Sequence, residues 1–129
     1  MKKMIVLAAT LLLFAINAEA RTIKTGTYTL SGGNSEWSSG GYQGEVVIAP
    51  QGENYKVIWR INNRQAQVGV GILQNDILSV AFIDASNPSF WGVVSFKLKP
   101  FGEIEGRWTS FDGTTSKPEH LIWKSNLVY

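Results

Sequence analysis

The chain has 129 residues, of which 12 are basic and 10 acidic, and it contains no cysteine. Lack of cysteine excludes disulfides, a thiol nucleophile, thiolate metal sites, dithiol redox chemistry and a lipid-modified cysteine. The near balance of charge gives no electrostatic reason to expect nucleic acid or an anionic membrane as a partner.

Residues 1–20, MKKMIVLAATLLLFAINAEA, read as a signal peptide. Lys2 and Lys3 form the charged head, Ile5 to Ile16 the apolar run, and Ala18-Glu19-Ala20 a small-x-small cleavage site. The apolar run falls short of the roughly 20 residues of a membrane span. An exported protein, periplasmic or secreted, is expected, with no membrane span after cleavage near Arg21. Residues 21–129 then make one domain with one modest core, held by packing and backbone ladders without disulfides.

Beyond the leader no window carries a sustained helical stripe. Short segments alternate with period two and are broken by Gly, Asn, Asp and Pro. Strands are predicted over Thr25–Leu30, Tyr42–Ala49, Asn54–Ile61, Gln65–Leu73, Ile77–Ile83, Phe90–Leu98, Glu103–Thr109 and Glu119–Lys124. In the third, Tyr55, Val57, Trp59 and Ile61 share a face, with Lys56 and Arg60 opposite. In the seventh, Ile104, Gly106 and Trp108 point inward, and Glu103, Glu105 and Arg107 outward.

Pro50-Gln51-Gly52, Asn62-Asn63, Asn75-Asp76 and Pro100-Phe101-Gly102 are hairpin material, because Gly and Asn accept positive φ at low cost. Consecutive hairpins make an antiparallel meander. The expected fold is therefore all-β, an eight-stranded antiparallel up-and-down barrel after a cleaved signal peptide, since closure removes both sheet edges. A β-sandwich is the main alternative. A barrel of this size either fills with side chains or holds one small ligand.

Two connections are longer: Ser31–Gly41, with Trp37 in a Ser/Gly stretch, and Asp84–Ser89, which runs into Phe90-Trp91. They are odd-numbered connections of a meander, so Trp37, Phe90 and Trp91 are expected at the same barrel end, with one of Phe90 and Trp91 pointing outward. Trp59, Trp108 and Trp123 are in phase with apolar strand neighbours. They serve either core packing or the lining of an aromatic pocket. His120 is the only histidine, so no metal site is expected. No nucleophile elbow and no flanking carboxylate pair appears either, and neither an enzyme nor a cofactor is expected.

The C-terminal alternation of Leu121, Trp123, Leu127 and Tyr129 is also found in outer-membrane barrels. The short strands and the charged second face (Lys56, Arg60, Glu103, Glu105, Arg107) argue against that reading.

Gly26-Thr27-Tyr28, Gly44 to Ile48, Tyr55 to Trp59, Gly69 to Leu73, Leu78 to Ala81 and Gly106-Arg107-Trp108 form a pattern spanning nearly the whole mature chain. It resembles a family of small secreted bacterial β-barrel proteins, largely uncharacterised and sometimes labelled fibronectin-binding. Ile104 to Trp108, Gly113-Thr114-Thr115 and Trp123 to Val128 are similar to the last two strands of the avidin and streptavidin family. That resemblance implies a calycin/avidin-like barrel with Trp108 and Trp123 beside a ligand pocket.

The leading expectation is a non-catalytic exported binding protein. Its Trp37, Phe90 and Trp91 would contact an extracellular or envelope protein. The alternative is a lipocalin- or avidin-like carrier of a small apolar ligand, using Trp59, Trp108 and Trp123.

Overall fold

The computed structural model describes residues 22–32 and 41–128. The predicted leader and Trp37 lie outside the described residues. Eight strands follow in chain order: β1 (Gly26–Gly32), β2 (Tyr42–Gln51), β3 (Asn54–Ile61), β4 (Arg64–Gln74), β5 (Ile77–Asp84), β6 (Trp91–Leu98), β7 (Glu103–Ser110) and β8 (Lys117–Ser125). Each pairs antiparallel with the next, and β8 returns to β1, with Tyr28 opposite Trp123, to close the barrel. Closure leaves no free sheet edge.

The turns follow the local chemistry. Asn62 and Asn63 both adopt positive φ, 57° and 63°. This is the backbone that a two-residue hairpin with the native strand twist requires. Asn75 at 58° and Gly52 at 61° serve the β4–β5 and β2–β3 turns. The β2 ladder runs through Pro50 and Gln51, so that turn is Gly52-Glu53 rather than the earlier Pro50-Gln51-Gly52. In β4 a register shift after Trp59 sets Gln67 opposite Trp59 and Gln65 opposite Arg60. The bulge turns Gln67, Gly69 and Gly71 toward the interior, and Val70 and Ile72 outward.

Inward residues divide the barrel into two regions. Tyr28, Leu30, Val46, Ile48, Val57, Leu78, Phe96, Ile104 and Leu121 are all essentially buried and fill the axis from the middle toward the end that holds the start of β1. Ile23 is buried at that end, and the Tyr28 hydroxyl donates to the Lys24 carbonyl. The opposite mouth is bounded by the end of β1, the start of β2 and the connections β3–β4, β5–β6 and β7–β8. Here the inner layer is aromatic and incompletely filled.

Candidate functional site

Odd strands run toward the mouth and even strands start there. Residues late in β3, β5 and β7, or early in β2, β6 and β8, therefore meet. Tyr42, Trp59, Ile61, Phe82, Phe90, Val94, Trp108 and Glu119, with Gln67 from β4, line a cavity of about 260 Å³. An apolar void of about 150 Å³ accepts benzene, so this one suits a ligand of about ten non-hydrogen atoms.

Phe82 is the hub of the wall. Its ring lies 5.8 Å from Trp59, 6.2 Å from Phe90 and 6.2 Å from Trp108, the last edge-on at 77°. Trp59 also stacks on Phe96 below it, with centroids 6.2 Å apart. That contact joins the cavity floor to the filled half of the barrel.

One acid interrupts this apolar wall. Glu119 is 5% exposed. Its cross-strand neighbours are Gly32 on β1 and Gly106 on β7, so no side chain flanks it within the sheet. The two glycines also admit neighbouring rings. A Cβ on Gly32 would lie 2.5 Å from the Tyr42 ring, and one on Gly106 would lie 2.7 Å from Phe96. Real carbon atoms do not approach so closely.

The Tyr42 hydroxyl donates to Glu119 Oε1 at 2.9 Å, and Trp59 Nε1 donates to Oε2 at 3.1 Å. Burial raises the Glu119 carboxyl above the usual glutamate range, because desolvation disfavours the charge. The bonds from Trp59 and Tyr42 act in the opposite direction. The Tyr42 hydroxyl is likewise raised, first by burial and then by the adjacent Glu119 charge.

Trp108 supplies the second polar feature. Its Nε1 is buried and faces the Tyr42 hydroxyl oxygen, but outside the geometry of a good hydrogen bond. A buried donor so loosely satisfied is costly and favours a better-placed acceptor. Gln67, opposite Trp59, donates to Asp84 at 3.2 Å. Asp84 also accepts from the Ser86 and Asn87 amides and the Ser86 hydroxyl, which holds its carboxyl below the usual range and orders the start of the β5–β6 connection.

Of the residues singled out from sequence, Trp59, Trp108 and Phe90 meet in the cavity wall. Trp91 points outward, 40% exposed, and stacks on the exposed Phe111 at 4.4 Å between centroids. Trp123 is inward in phase but sits at the far end. There it donates to the Thr25 carbonyl at 3.2 Å, under the Lys24 ammonium 3.9 Å from its ring, and it is absent from the cavity wall. Trp37 lies outside the described residues. His120 faces outward, 2.8 Å from Glu103. Among the described residues no group of three or more His, Cys, Asp or Glu could hold a metal ion.

Tyr42, Gln67, Phe82 and Glu119 carried no functional reading from sequence. For Glu119 the signal was present: an acid in phase with Leu121 and Trp123, on the apolar face of its strand.

No protein-family model matches the chain, and no curated protein matches it. Its architecture is a closed eight-stranded antiparallel barrel with an aromatic cavity at one mouth.

Proposed function

We propose that the protein is an exported carrier that takes a small, largely apolar ligand into the mouth of its barrel. The observation that carries this reading is the cavity: about 260 Å³, walled by Trp59, Phe82, Phe90 and Trp108, with polar groups at only a few points. Ligand sites have this composition, with apolar walls for affinity and a few fixed polar groups for orientation. A barrel filled along its whole axis would leave nothing for a ligand to occupy.

The test is an intrinsic tryptophan fluorescence titration with phenethyl alcohol. The reading expects a saturable change that disappears in Val94→Phe, whose larger ring occupies the cavity, and persists in Trp91→Phe. A signal that never saturates, or that Val94→Phe leaves intact, refutes it.

A second reading, a surface contact with an extracellular or envelope protein, draws support from the Trp91 and Phe111 stack. Phe111 is 70% exposed, and paired exposed aromatics are common at binding hot spots. On that reading Trp91→Ala lowers partner binding while the melting temperature stays close to wild type. Undiminished partner binding by Trp91→Ala rejects it.

A further inference from the structure

Glu119 is the least expected group in the cavity wall. A buried carboxylate is ordinarily matched by Lys, Arg or a metal, because desolvating an unpaired charge is costly. Among the described residues the carboxyl of Glu119 is bonded only by neutral donors, the Tyr42 hydroxyl and the Trp59 indole. Trp59 Nε1 can only donate, so the oxygen facing it must accept. Both bonds suit a carboxylate, which has about four lone-pair directions and uses only two of them here. The wall thus offers the carboxyl two donors beside the cavity, without supplying the positive group that its desolvated charge needs.

The walls fit the missing partner. Trp59, Trp108, Phe82 and Phe90 line the same space, and aromatic faces attract cations, most strongly when water is excluded. The chain already uses this contact, once at Trp108 itself, where Lys117 Nζ lies 5.3 Å from the ring centroid, and once at the far end, where Lys24 Nζ lies over Trp123. Lys117 shares the inward face of β8, opposite Trp108 and nearer the mouth than Glu119, but it does not line the cavity. It is the group that would favour an anion instead.

We propose that the ligand of this cavity is a small organic cation, an amine whose ammonium group pairs with the Glu119 carboxylate and whose hydrocarbon part lies among Trp59, Phe82, Phe90 and Trp108. The proposal rests on the carrier reading above and narrows it to a ligand class. Trp108 Nε1, held only loosely by the Tyr42 oxygen, adds a point at which an acceptor on such a ligand would be held.

The experiment is isothermal titration of the full chain with phenethylamine, phenethyl alcohol and phenylacetate, which share a ring and differ in charge. The amine should bind about tenfold or more tighter than the alcohol, as expected for a hydrogen bond to a charged group. Phenylacetate should bind weakest. In Glu119→Gln the amine and the alcohol should bind alike.

Equal binding of amine and alcohol by the wild type overturns the proposal and leaves the carrier reading standing. Preference for phenylacetate overturns it in the same way and points to Lys117. An amine preference that survives in Glu119→Gln also overturns it. Failure of all three probes to bind removes the carrier reading, and the proposal with it. Should Glu119→Gln not fold, the order of the three probes on the wild type decides.

Discussion

Val80 and Val94 face each other across β5 and β6, both inward and both almost wholly buried. Only Val94 lines the cavity. Val80 packs against β4, where a Cβ built on Gly69 or Gly71 would lie 2.8 or 3.0 Å from its methyl carbons. Adding one methylene at each position, as Val→Ile, preserves the β-branch and the strand preference. At Val94 the added carbon enters empty space, which contributes up to about 0.8 kcal/mol. At Val80 it enters a filled interior, where overpacking costs about 1–3 kcal/mol.

The two variants should therefore separate by about 1–4 kcal/mol, with opposite signs relative to wild type. Urea unfolding reads this as a higher midpoint for Val94→Ile and a lower one for Val80→Ile at unchanged slope. In a domain of this size each kcal/mol moves the melting temperature by about 4–8 °C. Val94→Ile destabilising as much as Val80→Ile would mean that the wall beside Phe82 and Trp108 is already packed, and the cavity argument would fail.

The Glu119 carboxyl is raised in the folded protein above its ordinary 4.5, so its contribution to stability is intact below that value and is lost as pH rises through the folded pKa. Glu119→Gln removes this loss, its carbonyl accepting from Trp59 and its amide donating to the Tyr42 oxygen. Urea midpoints should match wild type near about pH 4 and exceed it progressively toward about pH 8; a gap that narrows with rising pH would contradict the burial argument. Gly32→Ala should displace Tyr42, break its bond to Glu119 and cost about 1–3 kcal/mol, with weaker phenethyl alcohol binding as the readout. Unchanged stability and binding would show that Tyr42 and Gly32 are not coupled. Phe101 is fully exposed at φ 63°, a conformation unfavourable for a bulky residue. Phe101→Gly should be neutral or stabilising by up to about 1 kcal/mol in thermal melts, and a clear loss would mean that the ring has a structural role.

The architecture was legible because most inward strand positions alternate with outward ones and every short connection carries residues that tolerate positive φ. Asn62-Asn63 and the alternation of Phe90 to Leu98 are enough to place one hairpin and one inward face. The β4 bulge was not legible. No residue type marks it, and the register shift opposite Trp59 shows only once β3 and β4 are paired in the barrel.

Height along the axis was the main omission at the site. Trp59, Trp108 and Trp123 look alike in phase. The first two end strands that run toward the mouth, whereas Trp123 lies late in a strand running away from it. The same direction rule brings Tyr42, Phe90 and Glu119, each early in an even strand or just before one, to the cavity. Glu119 escaped notice because a lone acid on an apolar face has no motif. Its meaning depends on Tyr42 and Trp59, distant in sequence, reaching it over Gly32 and across the barrel.

A crystal structure of the protein exposed to benzene tests the central claim most directly. The account predicts benzene density against Phe82, Phe90 and Trp108, with the side chains of the filled half unmoved. A mouth in which Phe90 or Trp108 has collapsed onto Phe82, leaving benzene only on the outer surface, would contradict it.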